Sequence, residues 1–153
     1  MRALLASLAL LLAGPPTPSM GEPARHVDRV SFPGVLVMVR AIAIDGLDGL
    51  GVDENALLEQ SVELAWDEAQ IPPGWVAPRA RGFGRPVPLW QLGGADRRGR
   101  VLHGSALTAL LGELDRVLRE RGVPNARIAL DGTALARLST PGSDGLLLLR
   151  VRR

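Results

Sequence analysis

The sequence contains no cysteine, no lysine and no tyrosine, and aromatic residues make up only 3% of its 153 positions. Without cysteine, a disulfide framework, a thiolate nucleophile and a cysteine-ligated zinc site are all excluded. Without lysine, Schiff-base chemistry and a phosphate-binding P-loop are excluded as well. If the protein is exported, its hydrophobic core must therefore provide its stability without covalent cross-links.

The charge of the chain is nearly balanced. All 18 basic residues are arginine, they face 16 acidic residues, and the formal net charge is only +2. A balance of this kind gives no indication of nucleic-acid binding, and we expect none.

The first 24 residues, MRALLASLALLLAGPPTPSMGEPA, have the layout of a secretory signal peptide followed by a proline-rich joint. Arg2 supplies the positive start, and an apolar run extends from Ala3 to Ala13. That run is shorter than the roughly 20 residues that cross a bilayer. We therefore predict export of one domain, residues 25–153, while an uncleaved membrane anchor or a misassigned start remains the alternative.

The first half of that domain predicts a strand, a short helix and an irregular insertion. The strand covers Val35 to Ile44, with one face formed by Val37, Val39, Ala41 and Ala43 and the other by Met38, Ile42 and Ile44. Asp53 can cap a helix that reaches about Ser61, and an extended segment follows it. Residues 70–104 are dense in glycine and proline, and VAP and VPLWQL within them are candidate strands of a hairpin.

The second half has clearer patterns. In SALTALLGELDRVLRERG, a leucine stripe follows the potential N-cap Ser105, and Gly122 stands where the helix should end. Alternating residues up to Leu130 predict a strand, and DGTALARLSTPGSDG is typical of a loop. LLLLRV, from Leu146, predicts a last strand that is apolar on both faces and therefore central. The fold class expected is α+β, with a three-stranded mixed sheet and two helices on one face.

This order and its local sequences resemble the POTRA domain, in the form found at the start of ShlB-type transporters for hemolysin secretion and activation. The segments that carry the resemblance are VRAIAIDGL, SALTALLGELDRVLRERGV, NARIAL and SDGLLLLRVR. The resemblance implies the order β-α-α-β-β, with the connection between the helices enlarged by residues 70–104. It covers residues 32–153.

The family implies a periplasmic, non-enzymatic module of two-partner secretion that receives an unfolded client polypeptide and works with an outer-membrane β-barrel. The second strand of the family fold is usually a sheet edge, and an edge offers unpaired N–H and C=O groups to a client strand. In this sequence the predicted client edge comprises Asn125, Ala126, Arg127, Ile128, Ala129 and Leu130. The barrel would be part of a longer chain or a separate protein.

No arrangement of residues predicts catalysis, a metal or a cofactor. His26 and His103 are the only histidines, and no carboxylate is placed by the sequence to orient the ring of His103. Asp45, Asp48 and Asp53 lack the spacing of a calcium loop, so turn and cap roles explain them better. We predict a protein that is not an enzyme.

The insertion contains a dense group of arginines that suggests a second function. The predicted anionic patch consists of Arg79, Arg81, Arg85, Arg97, Arg98 and Arg100, interleaved with aromatic residues. Such a patch could bind an anionic surface or nucleic acid by bidentate and stacking contacts. A solvated loop is the plainer interpretation.

Overall fold

A computed structural model of the protein describes residues 31–93 and 100–153. The described residues form eight strands and four helices. In chain order these are β1 (Leu36–Val39), β2 (Ala41–Asp45), α1 (Glu54–Leu58), β3 (Ser61–Asp67), β4 (Gly74–Val76), β5 (Arg85–Pro88), α2 (Leu89–Leu92), β6 (Arg100–His103), α3 (Gly104–Glu120), β7 (Arg127–Leu130), α4 (Gly132–Leu138) and β8 (Leu146–Arg152). The predicted signal peptide lies outside the described residues.

The strands form two sheets, with the orders β1-β6-β4-β3-β5 and β2-β8-β7. In the smaller sheet β2 pairs with β8 in parallel, and β7 pairs with β8 in the antiparallel sense. The predicted α+β class is therefore confirmed, and the last strand is central as expected. The prediction of one three-stranded sheet with two helices is incomplete, because a five-stranded sheet and two further short helices are present.

The predicted first strand is divided at Arg40. The N–H groups of Arg40 and Ala41 both donate to the carbonyl of Gly145, at 2.7 and 3.2 Å. Two residues therefore oppose one, as in a β-bulge, which bends a strand and shifts its alternation by one residue. The core-facing residues on the two sides of the bulge are Val37, Val39, Ile42 and Ile44. The predicted face that continued from Val39 into Ala41 and Ala43 is wrong for this reason.

The predicted helix and extended segment before the insertion are confirmed. The side chain of Asp53 accepts the Ala56 N–H at 3.2 Å and so caps α1. The chain leaves α1 after Leu58 and enters β3 at Ser61. The helix is short, and packing of its buried Leu57 against the core contributes more to its stability than five residues of helix could alone.

The described part of the insertion, residues 70–93 and 100–104, contributes β4, β5 and β6 to the five-stranded sheet. β4 pairs with the second half of β3, and β5 pairs with its first half on the opposite side. The predicted hairpin is wrong, because these two strands are not neighbours and Leu89–Leu92 is helical. Proline fits in β5, which is an edge strand and needs fewer ladder N–H groups.

Helix α3 begins at Gly104, and the predicted cap Ser105 is wrong. The Ser105 hydroxyl accepts the Ala77 N–H at 3.1 Å, and thus ties the helix to the end of β4. The predicted end at Gly122 is confirmed, with φ at 84°. The N–H of Val123 donates to the Leu118 carbonyl, the closure that characterises a Schellman motif.

One wide apolar face of α3 joins the two sheets into a single core. It packs against β3, β4 and β6 of the larger sheet and against β7 of the smaller one. Its buried residues are Gly104, Ala106, Leu107, Leu110, Leu111, Leu114, Val117 and Leu118. Burial of each leucine contributes about 2 kcal/mol, so α3 is the main element that holds the sheets together.

The segment predicted to be a loop between the last two strands contains helix α4. The Asp131 side chain accepts the Thr133 N–H at 2.9 Å and caps it, and Leu138 is buried at its end. With seven residues and one buried side chain, α4 has too little periodicity to be detected in the sequence.

Candidate functional site

The predicted client edge lies on strand β7, at one side of the smaller sheet. β7 covers Arg127–Leu130, while Asn125 and Ala126 precede it. It pairs with β8 on one side, and no strand among the described residues lies on its other side. Four of the six predicted residues therefore lie on an edge strand of the smaller sheet.

The N–H of Ile128 is already occupied by a side chain. It donates to Oδ1 of Asp115, on α3, at 2.7 Å. Because N–H groups of an antiparallel strand alternate between its two sides, Ile128 and Leu130 direct theirs away from β8. The Asp115 carboxylate therefore occupies the outward N–H of Ile128, and α3, which carries Asp115, packs against β7.

The turn between α3 and β7 creates this contact. Gly122 reverses the chain, and Pro124 prevents the helix from continuing, so β7 returns alongside the last turns of α3. Asp115 is half-buried there, and the Arg119 side chain donates to its carbonyl oxygen at 3.3 Å. Arg119 thus contacts the backbone of Asp115 and not its carboxylate. The carboxylate accepts the Ile128 N–H of β7, a backbone group that has no partner strand on this side among the described residues.

The opposite edge of the same sheet has an equivalent contact. On β2, the N–H of Ile44 donates to Oε1 of Glu54, on α1, at 2.8 Å. Each outer strand of the smaller sheet therefore has one N–H held by a carboxylate from a neighbouring helix. Sequence reasoning missed both Asp115 and Glu54, because each carboxylate lies at least ten positions along the chain from the N–H that it accepts, and no local pattern links the two.

The six predicted edge residues contribute differently. Ala126 and Ile128 are buried in the core, and Ala129 and Leu130 are half-buried. The exposed Arg127 side chain donates to the carbonyls of Pro124 and Ala126, both at 3.0 Å. A strand bound here would therefore contact mainly backbone groups.

The predicted anionic patch is divided between two faces of the larger sheet. Arg79 and Arg81 are exposed in the segment that crosses β3, and Glu63 holds this segment by accepting the N–H groups of Gly82 and Gly84 at 2.7 and 3.0 Å. The side chain of Arg85 lies 4.6 Å from the ring centroid of Trp75. Because its register partner is Leu64, it lies on the face opposite to Glu63.

The described arginines of that patch do not form a single surface. Arg100 begins β6 and is half-buried, while Arg97 and Arg98 lie outside the described residues. Trp75 packs edge-to-face with Trp66 at 5.4 Å between ring centroids. Arg85 therefore has a structural explanation, as the cation that covers the Trp75 ring.

A cleft of about 480 Å³ lies where β1 and α3 begin, and it includes His103 and Ser105. His103 Nε2 is 3.0 Å from the Pro72 carbonyl, and the Ser105 hydroxyl accepts the Ala77 N–H. Neither contact connects the serine to the histidine. In the described ranges, no three His, Asp or Glu side chains are grouped so that they could hold a metal ion.

Asp67, which accepts a hydrogen bond from the cleft residue Gln70, has a shifted pKa. Its hydrogen bond from Gln70, and then that from the Ala69 N–H, lower its pKa below the ordinary value of 3.8. Arg79 and His103 add smaller electrostatic contributions in the same direction. The shift favours the carboxylate, so Asp67 is suited to holding its turn and not to releasing a proton near neutral pH.

Between residues 31 and 153, apart from 94–99, no helix is long and apolar enough to cross a membrane. Neither a family model, nor a curated protein, nor a solved structure matches the chain.

Proposed function

We propose that this chain is a non-enzymatic, client-binding module of the POTRA type, in which an extended client polypeptide joins the smaller sheet at β7. The observation that carries the proposal is an edge strand whose outward N–H is held only by a side chain. The mixed sheet with β8 in its centre and the order of α3, β7 and β8 support it. In this role the exported module receives a secreted client in the periplasm and passes it to an outer-membrane β-barrel.

Asp115 must release the strand before a client can bind. A rotation of its side chain frees the Ile128 N–H for a client carbonyl, and the carboxylate moves into water. Leu130 presents the next outward N–H of β7. A charge-assisted hydrogen bond is exchanged for a backbone one, so binding is weaker than it would be at an edge without Asp115.

The edge sets few sequence requirements for a client. Since the contacts are mainly to backbone groups, many extended sequences fit, as a module that handles unfolded polypeptides requires. The carboxylate of Asp115 additionally protects β7 from pairing with a second copy of itself, which is the hazard of any exposed strand edge.

The first test uses Asp115→Ala and a dye-labelled, uncharged peptide of about 20 Ser, Thr and Val residues as an extended probe. Freeing the Ile128 N–H should strengthen binding by about tenfold, the factor that corresponds to 1.4 kcal/mol. Glu54→Ala is the matched control, since it frees the Ile44 N–H at the other edge. Equal affinities for Asp115→Ala and the unaltered protein, or an equal gain in Glu54→Ala, would contradict the β7 assignment.

A second test compares Ile128→Pro with Ile128→Ala. Both variants lose the buried isoleucine, but only the proline variant lacks the N–H. We expect the alanine variant to bind the uncharged peptide and the proline variant, shown by circular dichroism to be folded, not to bind it. Hydrogen exchange at Leu130 should slow when the peptide is added. Retained binding by the folded proline variant would refute strand addition at this position.

A further inference from the structure

Three exposed arginines stand together on the outer face of the smaller sheet. We call Arg127, Arg150 and Arg152 the arginine face. Arg127 of β7 lies directly opposite Arg152 of β8, and Arg150 is two residues before Arg152 on the same strand. All three point away from the core, because the residues that alternate with them on these strands are buried or half-buried: Ile128, Leu149 and Val151.

This arrangement is unfavourable for the protein alone. Like charges directly opposite each other on neighbouring strands repel. Across the described part of the chain, none of the three arginines forms an ion pair. Asp45 of β2 is the register partner of Arg150 on this face, but its Oδ1 accepts the Gly46 N–H at 2.8 Å. The face therefore keeps an excess of positive charge that an anionic partner would neutralise.

The neighbouring side chains indicate what kind of anion fits. Leu146 and Leu148 precede Arg150 and Arg152 on the same face of β8. Leu146 is 40% exposed and Leu148 is half-buried. No aromatic side chain lies on β2, β7 or β8, so the face offers no surface on which nucleic-acid bases could stack. It also lacks the tryptophan or tyrosine anchors typical of membrane interfaces.

The spacing of the charges matches an extended polypeptide. Side chains two residues apart on a strand are separated by about 7 Å, and this is also the separation of alternate side chains in an extended peptide. Carboxylates at alternate positions of such a peptide can therefore meet Arg150 and Arg152 together. A guanidinium binds a carboxylate through two parallel hydrogen bonds, which gives such a contact both strength and direction.

We propose that the arginine face binds an extended acidic segment of a partner polypeptide, with carboxylates at alternate positions, through Arg150, Arg152 and Arg127. The contact is made by side chains on the face of the sheet, whereas strand addition uses the backbone at its edge. The inference therefore goes beyond the proposed function and does not depend on it.

The test measures binding of a dye-labelled peptide in which Glu alternates with Thr. The double variant Arg150→Gln/Arg152→Gln should bind it about tenfold more weakly, the loss expected when charge-assisted contacts are removed. Arg116→Gln/Arg121→Gln is the matched control, because it lowers the net charge equally at exposed arginines of α3 and its C-terminal end, outside the smaller sheet. Its affinity should be unchanged, and added salt should weaken binding to the unaltered protein.

Three results would overturn the proposal. Equal loss in both double variants would show that only net charge matters. Equal affinity for a peptide of the same composition with all its Glu residues in one block would remove the role of spacing. Binding of phosphatidylglycerol vesicles or single-stranded RNA through Arg150 and Arg152, without binding of the peptide, would assign the face to another partner. Ile128→Pro should leave the acidic peptide bound, so failure of strand addition is distinguishable from failure of this site.

Discussion

Two glycines of α3 should respond oppositely to the same substitution. A Cβ at Gly104 would lie 1.7 Å from the carbonyl oxygen of Phe32, whereas a Cβ at Gly112 would meet nothing within 4 Å. The Gly104 N–H also donates to the Val35 carbonyl at 2.8 Å. Relief of the clash in Gly104→Ala therefore requires the segment before β1 to move and this hydrogen bond to lengthen.

The magnitudes follow from these contacts. Overpacking costs about 1–3 kcal/mol, and we expect about 3 for Gly104→Ala because the obstacle is backbone. Gly112→Ala should gain about 1 kcal/mol, the difference in helix propensity between the two residues. If the free energy of unfolding falls by about 2 kcal/mol per molar urea, the urea midpoint should fall by about 1.5 M for Gly104→Ala and rise by about 0.5 M for Gly112→Ala.

Urea unfolding followed by tryptophan fluorescence measures both changes, since Trp66 and Trp75 contact each other in the larger sheet. The slope of the transition should be the same in both variants, so that the midpoints report stability alone. A rise of the midpoint in both proteins would refute the reasoning, since it would mean that the approach of Phe32 to α3 does not restrict Gly104.

Two further predictions concern charge. The hydrogen bonds that lower the pKa of Asp67 contribute stability that is present above its ordinary pKa of 3.8 and is lost as the pH falls through its lower folded value. Asp67→Asn should therefore be less stable than the unaltered protein at about pH 7, with a smaller difference at about pH 3; an equal difference at both pH values would contradict this. Arg152→Gln should raise the free energy of unfolding by about 0.5 kcal/mol in low salt by removing its repulsion with Arg127, and Arg79→Gln should not; a loss of stability in Arg152→Gln would count against the repulsion.

Several elements could be predicted from the sequence because their signals are local. The leucine stripe of α3 and its stop at Gly122 depend on residues within a few positions of each other, and the structure confirms both. The same holds for the Asp53 cap of α1. The alternation up to Leu130 and the apolar run from Leu146 likewise predicted β7 and the central β8.

The bulge at Arg40 and the places of β4 and β5 could not be predicted in this way. A bulge appears only when two N–H groups share one carbonyl of a partner strand, here that of Gly145, and nothing near Arg40 in the sequence marks that partner. β4 and β5 both read as strands, but their pairing on opposite sides of β3 is decided by which surfaces the core must cover.

The candidate site shows the same division. The sequence by itself determined that Asn125–Leu130 contains a strand and that arginine is the only basic residue. Only the tertiary structure decided that Asp115 holds the Ile128 N–H, and that Arg127, Arg150 and Arg152 share one face while the arginines of the insertion are divided. The physical reason is that propensity and periodicity act between near neighbours, whereas strand register and helix packing select which distant side chains meet.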